Sequence, residues 1–452
     1  MAVFQLLITS IVGLLGCAKA SSHSPTWRTF GITSNLVATE FGSVFDAPVV
    51  IGNQMFRLLV DTGSSDTYVM QSGYTCVSKA TDMVIPREDC LYSNKTYDIS
   101  ESYRSIPHEM FGVKYGAGVA SGFMASEDVQ LGGIYAKGQR IGIANVSNPM
   151  GDRVNSGLLG LSYPSITSAH PANHTSNATY WFDRLVYSPL LYTMQRQGSI
   201  DPYFSLALEH TPQNASTAFG GYLTLSGLPP VNHSTQFSTV PVETTEAIPL
   251  SFTSGRKVRS YWTTTISDVT FGSTSNNLAV NSTSFQAFFD SGNPLSYLPS
   301  AVVEPINALF DPPAVYDPKS KVWMVDCSAK APQFGLTIGN QTFFHKGQDL
   351  IYQTSKGVCM SSLATSESIS IDGLTLNIVG VPFLKNVVAV FDFGQNVMRF
   401  AKKLDFNESM PGIGGGNGMS IPKSSGSNLL QEIGFGHLLV LFMVAVLVLL
   451  GL

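Results

Sequence analysis

Two aspartates stand in matching contexts. Phe56-Arg57-Leu58-Leu59-Val60-Asp61-Thr62-Gly63-Ser64 is echoed by Phe285-Gln286-Ala287-Phe288-Phe289-Asp290-Ser291-Gly292-Asn293. Each copy is an apolar run that delivers an Asp into a small, hydroxyl-bearing turn. Two carboxylates brought to about 3 Å cannot both ionise, so they share one proton. The ionised member can take a proton from water while the other donates one to a carbonyl oxygen, with no covalent intermediate. Gly63 and Gly292 would let the backbone approach the carboxylates without a Cβ clash. The hydroxyls of Thr62 and Ser291 can bond across to the opposite loop, and Ser64 can donate to the outer oxygen of Asp61. A lone Asp-Thr-Gly is more often a turn with a side-chain cap; its repetition is what points to chemistry.

The elements that must hold these residues are strands. Short runs rich in Val, Ile, Phe, Tyr and Thr, such as 47–51, 56–60, 261–266 and 387–393, alternate with Gly, Asn, Ser and Pro clusters. This pattern predicts a β architecture. Only a few segments, such as 180–195 and 301–310, could be helical. A second apolar pair and Gly follows each Asp, at Leu158-Leu159-Gly160 and Ile378-Val379-Gly380. The chain is therefore written twice, which implies two lobes with a cleft between them. Asp66 and Asp392 are expected to be exposed or structural.

Composition narrows the class. Of 452 residues, 44% are hydrophobic and 13% charged, and the net charge is −5. That excludes a disordered chain, and with no basic stripe no nucleic-acid partner is expected. Sparse charge also implies limited self-repulsion in acid. No C-x-x-C, H-E-x-x-H or G-x-S-x-G occurs, so neither a metal, a cofactor nor a serine nucleophile is expected.

The two ends read as processing signals. An apolar run over Leu6–Gly16 precedes Ala18-Lys19-Ala20, so 1–20 is expected to be a signal peptide cleaved before Ser21. Leu438–Leu452 is a terminal apolar run behind a spacer and Ser424-Ser425-Gly426-Ser427. That is the pattern of a GPI-anchor signal, with 427–452 removed and Ser425, Gly426 or Ser427 as the attachment residue. Without Cys17, four cysteines remain, and Cys76–Cys90 with Cys327–Cys359 is the simplest of three pairings. Sequons at Asn94, Asn145, Asn173, Asn177, Asn214, Asn232, Asn281, Asn340 and Asn407 suit a glycosylated surface protein.

Over roughly residues 42–402 the chain resembles the pepsin-like aspartic proteases, and among them secreted, GPI-anchored fungal members. The resemblance rests on Asp61-Thr62-Gly63-Ser64-Ser65, on Asp290-Ser291-Gly292, and on Gly157–Leu161 and 378–392 as the strands behind each loop. It implies that Tyr115-Gly116-Ala117-Gly118 is the flap, that Thr62 and Ser291 brace the dyad, and that the cysteines pair 76–90 and 327–359. Four departures stand out. Tyr68 replaces the usual Trp as flap partner. Asn293 replaces a Thr or Ser, its amide being able to donate instead. Ala117 lacks the usual flap hydroxyl. Only about 20 residues, with a single Arg28, lie between the leader and the first expected core strand, so the usual basic propeptide is hardly present.

The resemblance implies a bilobal, mainly β double-barrel fold. The expected division is a pro-like segment 21–42, lobes 43–222 and 223–402, and a linker 403–426. The expected function is an aspartic endopeptidase acting on polypeptides at acid pH through Asp61 and Asp290, a monomer anchored to the outer leaflet of the plasma membrane. The alternative is an inactive pepsin-fold protein that binds peptides or cell-wall glycans.

Overall fold

Strand 54–61 lies beside Gly157–Gly160 in parallel, with Leu59 opposite Leu158 and Asp61 opposite Gly160. Strand 285–289 repeats this with 378–379, Phe289 facing Val379. In each copy the crossing strand also pairs antiparallel with the strand after the Asp turn: Thr67 opposite Leu159, and Tyr297 opposite Ile378. The sequence repeat is thus a structural repeat, and each Asp emerges where two parallel strands end side by side. Leu58, Val60 and Phe289 are fully buried, which anchors both turns.

The computed structural model describes residues 31–173, 180, 183–211, 215–355, 358–369 and 374–404. The expected signal peptide, the expected linker beyond 404, the expected anchor residues Ser425, Gly426 and Ser427, and the sequons at Asn177, Asn214 and Asn407 lie outside them. Among the described residues, one large sheet carries Asp61, an eight-stranded sheet carries the segment before Asp290, and a four-stranded sheet covers the latter's end of the molecule. No described helix is long and apolar enough to cross a membrane.

Three expectations about boundaries change. Ile32–Thr39 is a strand of the body, pairing with both Val44–Ile51 and Thr217–Leu225, so 21–42 is not wholly a pro-like segment. Its alternation buries Leu36 and Ala38. The expected lobe boundary at 222 falls inside Thr217–Leu225. Strands 387–392 and 397–402, expected in the second lobe, complete the large sheet through Tyr203–Leu208. Among the described residues of 180–195, helix forms only from Leu190, in Leu190–Arg196, with Pro189 at its start. The second expected helix forms over Ser300–Asn307, and a short third one runs Val381–Leu384.

The disulfides are Cys76–Cys90 and Cys327–Cys359. Asn94, Asn145, Asn173, Asn232 and Asn340 are exposed, and Asn281 is half-buried.

Candidate active site

The two Asp turns are bolted together by their neighbours. The Thr62 amide donates to Ser291 Oγ at 3.1 Å, and the Ser291 amide donates to Thr62 Oγ1 at 2.9 Å. Each hydroxyl then donates into the opposite strand: Thr62 to the Phe289 carbonyl at 2.8 Å, Ser291 to the Val60 carbonyl at 2.7 Å. Both side chains are fully buried, so every one of these bonds is sheltered from competing water. A serine serves as well as a threonine because only the hydroxyl is used.

The glycines fix how close the carboxylates come. A Cβ on Gly63 would lie 2.6 Å from the Asp290 carboxyl carbon, and one on Gly292 would lie 2.7 Å from Asp61 Oδ1. Each Asp also accepts a hydrogen bond from its own loop, Asp61 Oδ1 from the Gly63 amide at 2.7 Å and Asp290 Oδ1 from the Gly292 amide at 2.8 Å. The two carboxyls are hydrogen-bonded to one another.

The pair is not symmetric. Ser64 Oγ donates to Asp61 Oδ2 at 2.5 Å. Asn293, the matching residue, turns away: its Oδ1 accepts from the Leu295 amide at 3.2 Å, and no described hydrogen bond runs from its amide to Asp290. The expected substitution of amide for hydroxyl is therefore not made, because a carboxamide after the turn caps its own loop. Burial raises both carboxyls. For Asp61, Ser64, Asp290 and the Gly63 amide oppose that rise. Asp290 rises well above the ordinary range because the charge of Asp61 is added to burial. The dyad titrates as a pair, and its shared proton sits more favourably on Asp290.

The flap hairpin joins Arg104–Lys114 to Val119–Leu131. Its tip closes with the Tyr115 amide donating to the Gly118 carbonyl at 2.7 Å, and Ala117 is exposed. The Tyr115 ring packs into the apolar cluster that contains Tyr68, Tyr92 and Phe111. Its hydroxyl is buried and makes no hydrogen bond of ordinary geometry to a described residue; Ser64 is within its range, but that hydroxyl is committed to Asp61. Tyr68 is not its partner. The Tyr68 ring lies 5.2 Å from Phe111, and its hydroxyl pairs with Tyr92. A phenol in place of an indole has a different reach, and this one points along the core.

Sequence reasoning passed over several residues here. Lys79, inside the Cys76–Cys90 loop, donates to the Gly116 carbonyl at 2.8 Å and so holds the flap tip. Asn148 ties the flap base, accepting from the Val119 amide at 2.7 Å and donating to the Val77 carbonyl at 2.9 Å. Asp66 is not exposed. It is fully buried and accepts from Tyr187 Oη at 2.6 Å and the Ser168 amide at 2.8 Å, so its role is structural. Asp392 is buried too, paired with Arg399 at 3.0 Å. No local pattern marks these partners, since each comes from a distant strand or loop. Among the described residues no His, Cys, Asp and Glu cluster could hold a metal ion.

Comparison with known proteins agrees with this geometry. The family model described as eukaryotic aspartyl protease matches residues 45–403. A probable aspartic-type endopeptidase of Aspergillus fumigatus is 34% identical over 375 residues, covering 82% of this chain and 81% of its own. Penicillopepsin-1 of Talaromyces stipitatus is 25% identical over 77% of this chain and 76% of its own. The solved structure of the aspartic proteinase from Irpex lacteus superposes with a TM-score of 0.61 at 20% identity, covering 82% of this chain and 97% of that one. The fold is the bilobal, mainly β fold of pepsin-like proteinases.

Proposed function

The chain belongs to the eukaryotic aspartyl protease family, and from that premise we propose that it cleaves polypeptides at acid pH with a water activated between Asp61 and Asp290. The observation that carries this reading is the reciprocal Thr62–Ser291 brace holding two mutually hydrogen-bonded carboxyls. The ionised carboxylate takes a proton from water, and the protonated one hydrogen-bonds the scissile carbonyl. With the proton favoured on Asp290, Asp61 is the base and Asp290 the acid. Closure of Tyr115 over the site would exclude bulk water. A protein that only binds peptides needs no such brace. Purified enzyme is expected to digest a denatured protein at acid pH and to be blocked by pepstatin. Digestion that persists under saturating pepstatin would sink the assignment.

We further propose that the protein is a secreted glycoprotein held on the outer leaflet of the plasma membrane by a GPI lipid and acting as a monomer. The support is the leader, the sequons and the C-terminal pattern of small residues, spacer and apolar tail. Phosphatidylinositol-specific phospholipase is expected to release the protein from intact cells. Retention after verified lipase action would argue for a membrane-spanning helix.

A further inference from the structure

A cavity of about 410 Å³ opens between residues 163–165 and the loop 252–259, and its charge runs against that of the whole chain. Four cations line it: Arg184, Arg256, Lys257 and Arg259. No Asp or Glu among the described residues lines it, although the protein as a whole carries a net −5. Arg256, Lys257 and Arg259 are exposed and make no ion pair with a described residue. Arg184 is held deeper, its Nε donating to the Tyr180 carbonyl at 3.2 Å, within electrostatic range of Tyr261, Asp66 and the flap Tyr115.

The cavity is fixed to the catalytic loops. The segment just after the strand behind Asp61 forms one wall, and the loop carrying the three exposed cations is stitched to it. Ser165 Oγ donates to the Arg259 carbonyl at 2.7 Å, Ser162 Oγ to the Ser260 carbonyl at 2.9 Å, and Trp262 Nε1 to the Leu161 carbonyl at 3.0 Å. Arg259 Nε donates to the Val242 carbonyl at 2.7 Å, which leaves the rest of its guanidinium free for a ligand. Tyr261 links the cavity to the chemistry. Its ring stacks on Phe288 with centroids 4.4 Å apart, and it senses Arg184, Asp290 and Asp61 at once. The wall itself is tied to the Asp61 turn, the Leu161 amide donating to the Asp61 carbonyl and the Ser162 amide to the Ser64 carbonyl, both at 2.8 Å, so a polypeptide that crosses the dyad and continues along this wall would bring one of its residues to the cavity.

We infer that this cavity is a substrate subsite that selects a carboxylate, carried by an Asp or Glu side chain or by the C-terminus of the polypeptide. This rests on the protease reading and adds a substrate class to it. Planar guanidinium groups match a carboxylate, and a cluster of cations in a concave, partly apolar wall strengthens the attraction.

The test uses internally quenched peptides that differ only by Glu, Gln or Lys at each position around one cleavable bond, at pH 5, where a Glu side chain is mostly ionised. A second set compares a free C-terminus with its amide, which separates the two carboxylate sources. At one position Glu is expected to exceed Gln in kcat/KM by roughly tenfold at low salt, and the ratio is expected to shrink at high salt. Arg256→Ala with Lys257→Ala is expected to bring the ratio to about threefold or less. Arg256→Glu with Lys257→Glu is expected to turn the preference toward Lys. The same peptide pairs are measured for binding to the Asp290→Asn protein, so a chain that hydrolyses nothing still reports on the subsite while refuting the protease reading. Equal handling of Glu and Gln at every position and at both termini overturns the inference, and so does a preference that ignores both salt and the double variants.

Discussion

Replacing either Asp61 or Asp290 by Asn is expected to remove peptide hydrolysis, by roughly 10²–10⁴-fold or more, while leaving the fold intact. The size of the effect follows from the sharing of one proton. An amide can neither take a proton from water nor give one to a carbonyl, so each substitution ends both halves of the exchange. The fold should survive because Asn keeps the shape of Asp and the loops are held by groups next to it. Thr62 and Ser291 supply the cross-bonds, and neither touches the altered carboxyl. Burial of an amide here costs less than burial of a charge. The measurement is turnover of a quenched peptide across pH 2–7, with a melting curve for each protein. A single Asn variant that keeps more than a tenth of the activity at any pH would overturn the dyad.

The second large effect concerns stability, and it runs opposite to the acid denaturation of most proteins. Three carboxyls meet near the start of Val44–Ile51: Glu40, Asp46 and Asp152. Asp46 is fully buried, and neither of its oxygens has a hydrogen-bond partner of ordinary geometry. Asp152 accepts from Thr39 Oγ1, the Val154 amide and the Asn155 amide at 2.5, 2.9 and 2.7 Å. The proton of this pair therefore belongs on Asp46. Burial and then the charge of Asp152 push Asp46 well up, with Arg57 and Asn155 opposing. Burial and Asp152 also push Glu40 to about 7, against Arg153. Asp66 and the dyad are raised by burial as well.

A carboxyl whose folded value is raised stabilises the fold fully below its unfolded value. That stability is lost as pH climbs through the folded value. For Glu40 the window runs from 4.5 to about 7. His345 works the other way: buried, and lowered from 6.5 to about 4, it costs stability as pH falls through that range. Asp349, lowered by His210 and Lys385 against burial, loses its share only below its ordinary 3.8. The raised carboxyls outnumber these, so the melting temperature is expected to fall by roughly 5–10 °C between pH 5 and 7.5. Asp46→Asn, which carries no charge to bury, should make that fall smaller. A melting temperature that is flat or rising over this interval, or an Asp46→Asn protein with an undiminished fall, would refute the account.

The parts of the molecule that were legible in the sequence are those written locally. An apolar strand ending in Asp-Thr-Gly or Asp-Ser-Gly needs only nine consecutive residues to be read, and its repetition supplied the two-lobed plan. The brace was legible because Thr62 and Ser291 sit beside the aspartates in each copy. The rest depends on partners far apart in the chain. Nothing near Asp66 announces that Tyr187 will bury it. Nothing near Ile32 announces that Thr217–Leu225 will pair with it, since a strand and a leader of eight mixed residues look alike until a neighbour is found. Asn293 and Tyr68 were recognised as departures, but which way each side chain turns depends on the Leu295 amide and on Tyr92. The cations of the cavity come from two distant stretches, 184 and 256–259, that only the fold unites.

The large sheet has a consequence for biosynthesis. Tyr203–Leu208 is completed on one side by Val387–Asp392, with Leu206 opposite Ala389, and that strand is in turn covered by Val397–Lys402. The first lobe thus waits for the last described strands before its sheet is whole. Pairings between residues this remote close slowly, because the loop entropy is lost before the contacts form. Until then Tyr203–Leu208, whose six residues are all buried in the finished sheet, presents an edge with no neighbour. That edge is where a chaperone would hold a chain whose last strands have not yet paired.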